Sequence, residues 1–176
     1  MAVPSSNFAF LAQHDPLLVR LPTFAEKHFA DDPNTCIIKL RQFSERLAQV
    51  VGARSGQGST PGSGREEQFD LLGRLRSTGV VPPQTAQFFH DLRRHGNEAV
   101  HRGVGNHQQA LVLLKVAHQL AVWFHRTFGD AQFKPGPFVP PHSSPSVEPD
   151  VQTEIVRLRA ELATQRNAAA SLAQQV

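Results

Sequence analysis

A single cysteine, Cys36, leaves no internal disulfide to form, so the fold must hold without one. No stretch approaches roughly 18 consecutive apolar residues, which argues against a membrane-spanning helix. The opening MAVPSSNFAFLAQHDPLL lacks the basic start and the apolar run of a secretion signal. Together these absences point to a cytoplasmic protein without membrane contact. Charge of one sign is scarce too: 18 Lys and Arg stand against 15 Asp and Glu, for a formal net charge of +3. That mild basicity permits contact with DNA or RNA without demanding it. No segment of any length alternates with the period of a strand, and no repeat unit recurs. A chain of 176 residues can bury a substantial core unaided by a metal ion.

What is present has helical period. Asp32 reads as an N-cap with Pro33 in the first helical position, and behind it Cys36, Leu40, Phe43, Leu47 and Val50 form a buried stripe. Gly52 is the expected end of that helix. Residues 14–30 read as helical too, with Pro22 expected to break or restart the helix. The Gly- and Ser-rich run 52–64 lacks the Gly-Lys-Ser/Thr ending of a phosphate-binding loop and reads as a linker. A short helix over 66–77 should stop at Gly79, a second should run from Pro82-Pro83 to about His101, and Asn106 should cap a third ending near Gly129.

Six prolines between Phe133 and Pro149 exclude helix and central strand, leaving an extended arm. Beyond it Val151, Ile155, Leu158, Leu162, Gln165, Ala169, Leu172 and Val176 alternate spacings of four and three, a heptad seam weakened in its second half. The fold class is therefore all-α. A helical bundle fills residues 1–130, a proline-rich linker 131–149, and the start of a coiled-coil helix 150–176, through which two copies of the chain would pair.

One segment concentrates polar chemistry: Phe88-Phe-His-Asp-Leu-Arg-Arg-His-Gly-Asn-Glu-Ala-Val-His101. Residues advance about 100° each along a helix, so His90, Arg94, Asn97 and His101 share one face. Phe88, Phe89, Leu92, Gly96, Ala99 and Val100 form the opposite, core-facing set. Gly96 there implies close approach of another helix, since a mid-helix glycine otherwise costs about 1 kcal/mol. Arg94 and His101 are the candidate catalytic pair, and His90 and Asn97 candidate binding residues. On the next helix His107, His118 and His125 also share a face, read as a polar border opposite the stripe Leu113, Ala117, Leu120, Phe124 and Phe128. Their spacing, with no cysteine or carboxylate beside them, is not that of a zinc site, so no metal and no cofactor are expected. Cys36, inside an apolar stripe, reads as a packing residue.

Arg94 and His101, with the polar His95 after the arginine, resemble the R-x(4–6)-H pattern of the HEPN superfamily at its longest spacing. That resemblance implies a metal-independent ribonuclease, with the arginine stabilising phosphate charge and the histidine transferring a proton in a site paired across a dimer. A broader resemblance covers residues 6–140. It is carried by Ser6-Asn-Phe-Ala-Phe-Leu11, Asp31-Asp-Pro-Asn-Thr-Cys-Ile-Ile-Lys-Leu-Arg-Gln-Phe43, Leu92-Arg-Arg-His-Gly-Asn-Glu-Ala-Val-His101, Leu120-Ala-Val-Trp-Phe124 and Phe138-Val-Pro140. These passages resemble the N-terminal region of K-family type I restriction R subunits, where a proline arm and a long coiled coil follow. The resemblance implies a module of a larger restriction-modification enzyme, with its other subunits as partners. That family's nuclease domain and ATP-driven helicase motor have no counterpart in these 176 residues, which contain no P-loop, no acidic helicase box and no Asp…Glu-x-Lys core.

Overall fold

Three side chains begin three helices in the same way. Asp15 Oδ1 accepts from the Leu17 amide at 2.9 Å, Asp32 Oδ1 from Thr35 at 2.9 Å, and Asn106 Oδ1 from Gln109 at 2.9 Å. Each satisfies one backbone donor that a helix start leaves open. In the computed structural model, which describes residues 5–58, 68–142, 159–161 and 163, these caps open α1 (Pro16–His28), α2 (Pro33–Arg54) and α5 (His107–Phe128). A 3-10 turn (Ala9–Gln13) precedes α1, and α3 (Gln68–Ser77) and α4 (Pro83–Arg102) lie between α2 and α5. Among the described residues there is no strand.

The centre of the bundle is α2, packed against α1, α3, α4 and α5. Cys36, Leu40, Phe43 and Leu47 are fully buried, as their spacing requires, and Ile37, Ala48 and Val51 are buried beside them. Each large apolar side chain so placed contributes about 1.5–3 kcal/mol. Phe43 meets Phe8 edge to face, with ring centroids 5.8 Å apart. Burial pushes the Cys36 thiol up to about 12, helped by Glu26 and Asp32, so it packs as a small hydrophobe. Arg46, also on α2, grips Asp15 Oδ2 with Nε at 2.8 Å and Nη2 at 2.5 Å, fastening the start of α1 to the middle of α2.

Several expectations change. Helix α1 runs straight through Pro22, because the ring is buried with Leu18 and Ala25 and the packing against α2 offsets the missing N–H. Helix α2 continues past Gly52 to Arg54; that glycine is buried because Leu71 packs on it, and an added Cβ would stand 3.1 Å from Leu71 Cδ1. The buried residue at the end of the α2 stripe is Val51, with Val50 half-buried, since 3.6-residue drift moves the stripe by one position. Gly79 does stop the chain after α3: at φ +75 it lets its own amide reach Arg76 O and the Val80 amide reach Leu75 O.

Residues Met1–His142 form one compact unit and Ser143–Val176 another. In the first, the segment after α5 is neither helix nor strand through His142. In the second, residues 159–161 and 163 are helical and the heptad seam lies outside the described residues.

Candidate functional site

Helix α4 begins at Pro83, whose missing N–H costs nothing in the first turn, and its bonding starts with the Ala86 amide on Pro82 O at 2.9 Å. Phe89, Leu92, Gly96 and Ala99 face the core. Val100 does not: it is 48% exposed, at the edge of the apolar arc. Gly96 sits under the Arg41 side chain of α2, and an added Cβ would stand only 2.3 Å from Arg41 Cβ.

On the other side His90, Arg94 and His101 are exposed and Asn97 is half-buried. Arg94 and His101 lie about 10 Å apart along the axis, two turns at 1.5 Å per residue. They are not hydrogen-bonded to each other; Arg94 Nη2 instead lies 3.3 Å from His95 Nε2. The other His95 nitrogen, Nδ1, is 2.7 Å from the side-chain amide (Nε2) of Gln109 on α5. If His95 Nε2 accepts from arginine, Nδ1 carries the proton and Gln109 must present its oxygen there. His95 thus links Arg94 to α5, at the wall of an open groove of about 490 Å³ lined also by Val104, Asn106 and Val112.

Arg93 completes the face. Its Nη2 is 3.3 Å from His90 Nδ1, and its guanidinium lies over the Phe69 ring of α3, 5.4 Å from the centroid. Phe69 is 61% exposed. Sequence reading singled out neither Arg93, Phe69 nor Gln109. The run Arg93-Arg94-His95 was visible, but which neighbours it meets depends on how α3 and α5 pack.

Of the α5 histidines only His107 is exposed, as a polar border requires; His118 and His125 are not. His125 is 3% exposed, and His118 is half-buried between the rings of Phe8, Phe10 and Phe138. His107 lies against Phe29, with Nε2 2.8 Å from Ala30 O. The face opposite the Leu113–Phe124 stripe is covered by residues 7–14 and the segment after α5. His125 Nδ1 lies 2.8 Å from His14 Nε2, so one of these nitrogens donates and the other accepts. Burial, then Arg54 and His125, hold His14 below its ordinary 6.5, and burial lowers His118.

A lowered histidine binds fewer protons in the folded chain than in the unfolded one. Its contribution is complete above 6.5 and is lost as pH falls through that value toward the folded-state pKa. Thermal unfolding should therefore shift to lower temperature between about pH 7 and about pH 5, and His14→Gln should flatten the shift. Buried Glu26, whose carboxyl burial pushes up, works in the opposite sense at lower pH, which is why the difference between the two proteins is the informative quantity. Identical profiles for both would contradict the role given to the pair.

Among the described residues no three His, Cys, Asp or Glu side chains gather as a metal site, and no helix is long and apolar enough to cross a membrane.

An all-helical bundle with one polar face on α4 is a class of domain rather than a particular protein. The family described as Domain of unknown function (DUF4145) matches residues 23–128, and the chain belongs to it. Over 121 residues, 69% of this chain and 10% of the relative, it is 36% identical to the Type I restriction enzyme EcoKI endonuclease subunit of Escherichia coli (strain K12). Over 65 residues, 36% of this chain and 5% of the relative, it is 40% identical to the Multifunctional 2-oxoglutarate metabolism enzyme of Mycolicibacterium vanbaalenii. The chain spans a tenth or less of the length of these relatives. No solved structure matches it.

Proposed function

We propose that this chain is an N-terminal accessory and interaction module of a type I restriction-modification endonuclease R subunit, serving DNA restriction in host defence. The observation that carries the reading is the 36% identity over 121 residues to a type I restriction endonuclease subunit. In this reading the bundle is HEPN-like and the tail opens a coiled coil. The face of His90, Arg94, Asn97 and His101 docks protein or nucleic acid, with the guanidinium suited to phosphate oxygens. What supports that assignment is exposure: His90, Arg94 and His101 are exposed, Asn97 is half-buried, and none of the four is among the buried core residues.

The test is to mix the purified chain with duplex DNA, with single-stranded RNA and with the other subunits of a type I system. Binding to one of them is expected, weakened about tenfold by Arg94→Ala or His101→Ala, the loss of one charge-assisted hydrogen bond. Binding that ignores both substitutions, or no binding at all, would remove the α4 face from the account.

A second reading, a stand-alone HEPN-type ribonuclease or toxin, is favoured by one observation: Arg94 and His101 are both exposed on the same helix, two turns apart. Arg94 would hold the phosphate and His101 transfer the proton, in a site paired between two copies. It requires RNA cleavage that survives EDTA and disappears in His101→Ala.

A further inference from the structure

Residues 129–142, after α5, form no helix or strand, yet specific contacts hold them to the bundle. Buried Asn7 reads both backbone groups of Val139: its Nδ2 donates to Val139 O at 2.7 Å and its Oδ1 accepts from Val139 N at 2.9 Å. That is what a neighbouring strand would offer, made by one side chain. The second Nδ2 hydrogen goes to Glu26 Oε1 at 2.6 Å, which fixes the amide's orientation. The Phe133 ring packs against Phe10 and His125, at 4.7 and 4.5 Å, and the Phe138 ring rests on His118 at 5.5 Å. Arg126 Nε donates to Phe133 O at 3.0 Å. Pro135 closes one side of a cleft of about 360 Å³ beside Trp123.

These contacts define what the surface accepts. Val139 is 47% exposed, so the Asn7 contact selects backbone and ignores the side chain. Selectivity lies in two aromatic seats five residues apart. Pro135, Pro137, Pro140 and Pro141 carry no N–H, so an extended segment can lie here with few donors left to satisfy. This is recognition of an extended peptide by backbone bonds plus side-chain seats.

We propose that the face formed by residues 5–14 and α5 is a docking groove for an extended, proline-rich peptide with two phenylalanines five residues apart, filled by this chain's own residues 133–141 as a releasable strap. This is independent of the reading of the α4 face. Release of the strap exposes a binding site as well as freeing the tether.

The test uses the full chain and a fluorescein-labelled peptide of residues 131–142 as probe. Phe133→Ala with Phe138→Ala weakens the strap and leaves the groove intact. That variant should bind the peptide about tenfold or more tightly than the unsubstituted chain, whose tethered strap competes at a roughly millimolar effective concentration. Adding Asn7→Ala should abolish the gain. Equal binding by the variant and the unsubstituted chain, or no binding by the variant, would overturn the proposal. Hydrogen exchange gives a second readout: Asn7→Ala should speed exchange at 133–142 while α4 keeps its rate. Unchanged exchange there would also overturn it.

Discussion

Gly96→Ala is expected to destabilise the bundle by about 1–3 kcal/mol, lowering its melting temperature by about 4–12 °C. In an isolated helix the same change would stabilise, by about 1 kcal/mol, because alanine is the better helix former. Here the new Cβ would meet Arg41 Cβ at 2.3 Å, and Cδ and Cγ at 2.7 and 2.8 Å. The Arg41 tip can swing away; its Cβ is fixed by α2 and can move only if the two helices part. Arg41→Ala should therefore relieve the cost only in part, since it keeps that atom, whereas Arg41→Gly should remove most of it. Strong coupling in the double-mutant cycle is the expected sign of a contact shared by both residues. If Gly96→Ala raises the melting temperature, α4 does not approach α2 as described.

Asn34→Ala should cost a similar amount, about 1–3 kcal/mol, through hydrogen bonds rather than volume. From the first turn of α2, Asn34 Nδ2 donates to Ala99 O at 3.1 Å and its Oδ1 accepts from the Gly105 amide at 3.1 Å. One side chain thus ties the end of α4 and the connection into α5 to the central helix. Asn34→Asp separates the two bonds. It keeps an acceptor for Gly105 but turns a carboxylate oxygen toward the Ala99 carbonyl, so it should be no better than alanine. An aspartate variant as stable as the parent, measured by urea unfolding, would show that only the Gly105 bond matters.

Much of the fold was legible because its signals are local. Asp32, Pro33 and Asn106 state helix starts within one turn, and Cys36, Leu40, Phe43 and Leu47 state a buried face by period alone. Pro22 and Gly52 misled because their local preferences were outweighed by α1 packing on α2 and by Leu71 packing on Gly52. His118 and His125 misled for a longer-range reason: His125 meets His14 from 111 residues away, and Val139 meets Asn7 across 132. No periodicity within α5 reveals such partners. At the candidate site, the shared face of His90, Arg94, Asn97 and His101 followed from helical geometry. Arg93 on Phe69 and His95 on Gln109 required knowing which helices stand beside α4.

The central claim is that the α4 polar face serves recognition and not folding. A double variant, Arg94→Ala with His101→Ala, tests it when melting temperature and binding are measured on the same preparation. Exposed substitutions usually change stability by less than about 0.5 kcal/mol, so the melting curve should superimpose on that of the parent. Affinity for the bound partner should fall about tenfold or more, and by less than the product of the two single effects if the pair acts as one site. A loss of several kcal/mol in stability with binding retained would make the pair structural and contradict the account.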